Sequence, residues 1–266
     1  MRRVGVFLLL WLLVVTATGR AGQLDRVLFM SEEYPPFNFE QDGRPQGLSI
    51  ELLAEVFRIT GSGRSVDEVQ ILPWARSYRA VQEQADTCLF VMTRTREREA
   101  LFKWAGPVAP TRIVLLAKKG AGVIVRSPHD LRKYRIGVVR DDVGQQLLEK
   151  AGYPQARMEM VSSSAHNAEK LARGRIDAWA YEESVARYVL GSIGQDPAQY
   201  ESVYTFQTGA VYFAFNRRTD DAAVAEMQAA LDRLRSQGVI RGILARYGVM
   251  GGEREPKGQK GGSAPR

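Results

Sequence analysis

The sequence has few of the residues that crosslink a chain or hold a metal ion, with one cysteine and two histidines among 266 residues. A single cysteine, Cys88, excludes an internal disulfide, so the fold must depend on a buried core. His129 and His166 lie at unrelated spacings without a cysteine partner, which argues against a zinc site. We therefore expect neither a metal nor a cofactor.

Common enzyme motifs are also missing. The sequence contains no Gly-Lys-Ser phosphate loop, no Gly-x-Ser-x-Gly nucleophile elbow and no Gly-x-Gly-x-x-Gly dinucleotide turn. These motifs are among the commonest signals of catalysis or nucleotide binding in a sequence. Their absence removes the usual evidence for an enzyme.

The excess of positive charge is concentrated at the two ends of the chain. The formal net charge is +7, but residues 1–21 carry three basic residues and residues 251–266 carry four basic and two acidic ones. The body between them is left with about +2, which argues against nucleic acid as a partner. The C-terminal stretch, residues 251–266, has almost nothing to bury, and we expect a disordered tail.

The N terminus has a basic start, an apolar stretch at residues 4–15 and small residues near Ala21. This order is typical of a secretory signal peptide, and the stretch is shorter than the about 20 residues of a membrane span. We expect residues 1–21 to be cleaved and the mature chain to lie in the periplasm. A membrane anchor is the alternative.

Apolar runs of strand length alternate with amphipathic helical segments, which predicts an α/β fold. A first succession of strands and helices ends in a helix that is followed by Asp86 and the apolar strand 88–92. A second succession ends in the same way, in a helix followed by the strand 176–180, which contains Asp177. The repetition predicts two lobes of one architecture rather than one continuous sheet. The helix after Gly47 is expected to have Ser49 as its cap.

Hydroxyl and arginine side chains follow the strand at 88–92. Thr93 lies at the strand end, and Thr95 is placed to cap a short helix whose first turn holds Arg96 and Arg98. An arginine at the positive end of a helix is unfavourable unless it is solvated or binds an anion such as a carboxylate. A solvated turn and an anion site both remain open from this pattern alone.

Ligands of open α/β sheets lie beyond the carboxyl ends of the strands. If the two predicted lobes face each other, the arginine turn at 93–98 and the acidic end of the later strand, at 181–183, share one cleft. A charge of each sign would then line one pocket. That pairing is suited to a zwitterion such as an amino acid.

Six short motifs, in this order, carry a family resemblance over roughly residues 26–248: Tyr34-Pro35-Pro36-Phe37, Gly47-Leu48-Ser49-Ile50-Glu51-Leu52, Thr95-Arg96-Glu97-Arg98, Arg135-Ile136-Gly137-Val138-Val139, Gly174-Arg175-Ile176-Asp177-Ala178 and Leu231-Asp232-Arg233-Leu234-Arg235-Ser236-Gln237-Gly238. The chain resembles the family 3 extracellular solute-binding proteins of polar amino acid transporters. The stretches at 72–76 and 102–107 are similar to a large, poorly characterised branch of that family.

The resemblance implies a two-lobed periplasmic-binding-protein fold (type II) with two hinge crossovers and a ligand cleft between the lobes. Lobe 1 would comprise residues 22–115 and 209–250, and lobe 2 residues 116–208. It also implies a monomer that captures a small polar solute, such as an amino acid or a related carboxylate or amine. The expected partner is an inner-membrane ABC transporter permease or a sensor.

The resemblance also implies roles for particular residues. Arg98 falls where the family grips the ligand α-carboxylate, and Glu182 falls where a second-lobe acid receives the ammonium. Thr93 falls at a hydroxyl or backbone contact, and Tyr34 at an aromatic that covers the ligand side chain. The remaining expected binding residues are Trp74, Asp142, Val143 and Tyr181, with Asp142 and Val143 contributing main-chain amides at a helix start.

The chain departs from the family pattern at that helix start. It reads Asp141-Asp142-Val143 where the family usually has Gly-Thr-Thr, and two aspartates would repel a ligand carboxylate. Ser31 stands where many members have a second acid for the ammonium. An ordinary α-amino acid therefore fits the sequence less well than the family name implies.

Two other functions remain open from the sequence. One is an enzyme on the same scaffold, similar to cyclohexadienyl dehydratases, with Glu182 as proton donor at a raised pKa. The other is a sensory module that acts through a separate partner. Binding without chemistry is the expected function.

Overall fold

The computed structural model describes residues 22–249. The predicted signal peptide at 1–21 and the predicted tail at 251–266 lie outside the described residues. Within the described part, no helix combines the length and the apolar character that crossing a membrane requires.

The α/β alternation expected from the sequence is present. The strands of the described range are β1 (Leu28–Ser31), β2 (Phe39–Gln41), β3 (Arg44–Gln46), β4 (Gln70–Ile71), β5 (Thr87–Thr93), β6 (Phe102–Lys118), β7 (Ile136–Val139), β8 (Met158–Val161), β9 (Ala178–Glu182) and β10 (Tyr200–Asn216). The α-helices of that range are α1 (Leu48–Thr60), α2 (Trp74–Glu83), α3 (Val143–Lys150), α4 (Ser164–Ala172), α5 (Glu183–Ser192), α6 (Asp221–Ser236) and α7 (Val239–Arg246).

Eight strands follow the hydrogen-bonded order β4-β1-β5-β10-β6-β9-β7-β8. The parallel strands β4, β1 and β5 form one group, and β9, β7 and β8 form the other. The antiparallel pair β6 and β10, each 17 residues long, lies between them. Hydrogen bonding therefore continues from one group to the other through β6 and β10. The internal repetition alone predicted no continuous sheet, whereas the family resemblance implied two crossovers of this kind.

The long strands change partners near their middle. β5 pairs with residues 211–215 of β10, whereas β9 pairs with residues 113–117 of β6. Between these registers, Ala109 to Arg112 pair only with the opposite long strand, from Val211 to Thr208. We propose that the two halves of the molecule divide along this segment, close to the boundaries expected from the sequence.

Helix α1 begins at Leu48 with Gly47 as its N-cap, so the expected cap at Ser49 is wrong. Gly47 has φ 112°, and a Cβ there would lie 2.4 Å from the main-chain oxygen of Phe37, so the chain needs glycine at this point. Ser49 lies inside the helix, and its single hydroxyl hydrogen has two acceptors within reach, the Phe37 carbonyl at 2.7 Å from Oγ and Asn38 Oδ1 at 2.9 Å. These bonds fix the aromatic loop at 34–38 against the start of α1.

Helix α3 packs closely against β9 because residue 144 is glycine. A Cβ on Gly144 would lie 2.3 Å from the main-chain oxygen of Ala180. This approach brings the N terminus of α3, with Asp142 as its N-cap, next to the end of β9, where Tyr181 and Glu182 lie.

Candidate functional site

Arg98 lies on the turn after β5 and is 1% exposed. Its main-chain amide donates to Thr95 Oγ1 at 3.2 Å, so Thr95 caps this turn, although the helix that follows is a short 3-10 turn at Glu99–Leu101. The guanidinium donates from Nε to Gln146 Oε1 at 3.0 Å and from Nη1 to the Thr93 carbonyl at 3.3 Å. Among the described residues, Nη2 forms no hydrogen bond of good geometry, although the Tyr78 hydroxyl lies near enough to the guanidinium to act to raise the pKa of Arg98.

Two aromatic rings of α2 flank the Arg98 guanidinium. Its central carbon lies 5.2 Å from the Trp74 ring centroid and 5.0 Å from that of Tyr78, and these two rings stack on each other. Burial lowers the pKa of Arg98, while Asp142 acts to raise it. The cation is thus held by aromatic faces and hydrogen bonds, with one N–H group still free to bind another group.

Asp142 is the N-cap residue of α3 and is 5% exposed. The amides of Val143 and Gly144 lie near enough to lower its pKa, as Arg98 also does, although burial raises it overall. Neither amide reaches the geometry of a capping hydrogen bond, and within residues 22–249 Asp142 Oδ2 has no hydrogen-bond partner. A buried carboxylate therefore lies near enough to Arg98 for each charge to shift the pKa of the other.

Asp141 contributes its main chain to the site, whereas Asp142 contributes its carboxylate. Its φ of 60° is left-handed, a conformation that aspartate tolerates better than most residues. Its carbonyl accepts hydrogen bonds from Trp74 Nε1 at 2.9 Å and from Gln146 Nε2 at 3.2 Å. The backbone conformation explains the aspartate here, and only Asp142 adds a buried carboxylate to the site.

Glu32 directly follows β1 and is 8% exposed, and it is not among the predicted site residues. Burial raises the pKa of Glu32 well above its usual range, Asp142 raises it further and Arg98 lowers it. In the described part of the chain, no hydrogen bond to the carboxylate contributes to this shift. Its position beyond the carboxyl end of a strand is the sequence signal that could have identified it.

Tyr34 and Tyr181 meet from the two strand groups, with ring centroids 5.6 Å apart and edge-to-face geometry. Both are buried, at 5% and 0% exposure. The Tyr181 hydroxyl meets no hydrogen-bond partner within the geometric limits among the described residues, although Ser164 lies near enough to lower its pKa against the larger effect of burial. Burial raises the pKa of Tyr34 well above its usual range, and the charges of Glu182 and Asp142 raise it further. The two tyrosines thus border the region that holds the acids.

Glu182 caps helix α5. Its Oε2 accepts from the Val185 amide at 2.8 Å and from Ser184 Oγ at 2.6 Å. Burial raises the pKa of Glu182, and these two hydrogen bonds oppose the rise. Much of its hydrogen-bonding capacity is therefore used within its own helix.

Seven of the eight predicted residues are linked to one another: Trp74, Thr93 and Asp142 lie around Arg98, Tyr34 contacts Tyr181, and Glu182 and Asp142 act on Tyr34. Val143 follows Asp142 in the chain, but its side chain packs with Ile113 and Leu147. Three neighbours of the linked residues, Glu32, Tyr78 and Gln146, were not predicted. Tyr78 and Gln146 lie four residues after Trp74 and Asp142 respectively, on the same helix faces, so helical spacing was the available signal. We call Glu32, Arg98, Asp142, Tyr181 and Glu182 the buried polar cluster.

Comparison with solved structures agrees with this architecture. A histidine kinase sensor domain with similarity to periplasmic binding proteins superposes with a TM-score of 0.72 at 19% identity, covering 84% of this chain and 96% of that one. The arginine-, lysine-, histidine-binding protein ArtJ from Geobacillus stearothermophilus gives 0.70 at 20% identity, covering 84% and 94%. The fold is therefore the two-lobed α/β fold of periplasmic binding proteins.

The sequence model of the bacterial extracellular solute-binding proteins, family 3, matches residues 27–250, and the chain belongs to this family. A relative described as a probable histidine-binding protein, from Neisseria gonorrhoeae, is 23% identical over 231 residues, which are 85% of this chain and 83% of the relative. The resemblance drawn from the sequence motifs is confirmed. The matched relatives are binding proteins, and they do not support the dehydratase alternative.

Proposed function

We propose that this protein captures a small polar solute, an amino acid or a related carboxylate or amine, in the region around the buried polar cluster. The solute is delivered to an inner-membrane ABC transporter or to a sensor, from a protein exported to the periplasm. Solute-binding relatives and a sensor-domain neighbour support this range of partners.

The observation that best supports the proposal is the Nη2 group of Arg98, which lacks a hydrogen-bond partner among the described residues. A buried guanidinium costs free energy through desolvation, and leaving one of its donors without a partner adds to that cost. Such a cost is common where a ligand completes the hydrogen bonding. Arg98 also joins the two strand groups through Gln146, so a group bound there would contact both.

In the proposed site, Tyr34, Trp74 and Tyr181 supply aromatic walls and Thr93 positions Arg98 through its carbonyl. Charged contacts come from Arg98, Asp142 and Glu182, and Val143 contributes its main-chain amide. Binding then stabilises the arrangement in which the two halves are in contact, as ligand-induced closure requires.

The test is a thermal-shift screen of the mature chain against amino acids, polyamines and small carboxylates. A solute that binds only the native state raises the melting temperature with its concentration. Arg98→Ala should abolish that rise, because it removes the free donor and the charge that lowers the pKa of Asp142. Arg94→Ala is the matched control, since Arg94 lies on the same turn but pairs with Glu99 at the surface.

Arg98→Lys addresses the case in which the alanine variant fails to fold. It keeps the charge but loses the planar fork, so it should fold and still bind weakly. If either folded Arg98 variant keeps the full wild-type shift, Arg98 is not the anchor. If no solute class shifts the wild-type protein, the proposed function is wrong.

A further inference from the structure

The buried polar cluster contains more acid than base. In the range 22–249, Arg98 is the one buried lysine or arginine, whereas Glu32, Asp142 and Glu182 are all buried carboxylates. A site with this composition complements a cation more readily than a neutral zwitterion. Among the described residues, the cluster also contains hydrogen-bond donors and acceptors without a partner. These are Arg98 Nη2, Asp142 Oδ2 and the Tyr181 hydroxyl.

Glu182 and Glu32 differ in how far hydrogen-bond donors offset the cost of burying their carboxylates. Glu182 accepts hydrogen bonds from Ser184 and Val185 at the N terminus of α5, where a negative charge is favoured. Glu32 lies beside Asp142 and Arg98 and has no such donor among the described residues. Glu32 is thus the acid with the greatest need of a cationic partner.

Asp142 lies where a solute carboxylate would otherwise bind. A carboxylate is held best by a guanidinium together with the amides at a helix start. Arg98 meets this description together with the amides at the start of α3, since it donates to Gln146 in the first turn of that helix. Asp142 is the N-cap of the same helix and is 5% exposed, and its Oδ2 has no hydrogen-bond partner among the described residues. A second carboxylate placed there would be repelled by Asp142.

We propose that the solute is an organic cation, an amine or guanidine, that carries no carboxylate on the carbon next to its nitrogen. Asp142 serves as the built-in anion facing Arg98, and Glu32 and Asp142 together accept the N–H groups of the cation. This inference rests on the proposed function and selects one class from its range.

Matched pairs of compounds test it directly. Agmatine and arginine, histamine and histidine, and putrescine and ornithine differ within each pair only by the α-carboxylate. Dissociation constants are measured by calorimetry on the wild-type protein near neutral pH. In at least one pair the amine should bind about tenfold more tightly or better, because Asp142 repels the carboxylate of the amino acid; tenfold corresponds to about 1.4 kcal/mol.

Two variants assign the effect to residues. Asp142→Asn should reduce the preference for the amine within a pair, because it removes the built-in anion and keeps the shape. Glu32→Gln should weaken binding of the amine, whereas Glu33→Gln, at the next and exposed position, should leave that binding unchanged. Circular dichroism and melting of the solute-free variants establish that each is folded.

The possible results distinguish failure of the organic-cation inference from failure of the proposed solute-binding function. If the amino acid of every pair binds as tightly as its amine or more tightly, the inference is wrong while the proposed function stands. If Asp142→Asn keeps the full amine preference, Asp142 is not the built-in anion and the inference fails in its mechanism. If no amine, amino acid or small carboxylate binds, the proposed function fails.

Discussion

The indole N–H of Trp74 donates a hydrogen bond to the main-chain carbonyl of Asp141 over 2.9 Å. Trp74 opens α2, on the β1 side of the molecule, and Asp141 lies on the turn between β7 and α3, in the other strand group. Lys150 and Glu97 form an ion pair between the same two parts at 2.5 Å, but at the surface, where such pairs contribute little. The buried indole bond is therefore the stronger link of the two.

Trp74→Phe should loosen this contact while keeping an aromatic ring beside Arg98. The lost hydrogen bond is worth about 1 kcal/mol. Hydrogen–deuterium exchange of residues 140–146 should accelerate roughly fivefold in the solute-free protein, because local opening becomes easier by that amount. Trp104→Phe is the control, since its indole donates to Glu99 within the same half. Equal exchange in wild type and Trp74→Phe would contradict the predicted link.

Glu182→Ala should destabilise the solute-free protein. The substitution leaves the Val185 amide and the Ser184 hydroxyl without their acceptor, and loss of an N-cap costs about 1 kcal/mol. For a chain of this size we expect the melting temperature to fall by about 2–4 °C. Glu182→Gln keeps an acceptor oxygen and should lose less. A Glu182→Ala protein as stable as wild type would show that the capping bonds do not stabilise α5.

The stability of the solute-free protein should decrease as pH rises above about 4.5, the ordinary value for a glutamate. Burial raises the pKa of Glu32 in the folded state, so the folded protein binds more protons than the unfolded chain above that pH. Stability then falls with increasing pH, by up to about 1.4 kcal/mol per pH unit for each proton of difference. Urea unfolding between pH 5 and 8 measures the slope, and Glu32→Gln should reduce it.

Glu97→Gln is the control for this pH dependence. The hydrogen bond from Lys150 lowers the pKa of Glu97, so its contribution to stability is lost only at more acidic pH. The slope between pH 5 and 8 should therefore match wild type. A Glu32→Gln protein with the wild-type slope would mean that Glu32 titrates alike in the folded and unfolded states.

The positions of the regular elements could be predicted wherever a local pattern is strong. Strand β5 contains the apolar run predicted at 88–92, and α1 begins directly after Gly47 as predicted, because apolar residues repeat there at the spacing of the element. Strand β9, predicted at 176–180, lies at 178–182. The hairpin β2–β3 and helix α5 were missed. Helix α5 follows β9 directly, so no loop composition separates the two.

The sequence alone determined the family and which strand ends carry charge. Its ordered motifs identified the family, the positions of the strand ends selected the segments at 93–98 and 181–183, and the family resemblance then selected Arg98 and Glu182 within them. Only the tertiary structure decided how the charges are used. It added Glu32, assigned the Glu182 carboxylate to a helix cap, and placed Asp142 opposite Arg98. These outcomes depend on burial and on contacts between residues far apart in the chain, which a local pattern does not encode.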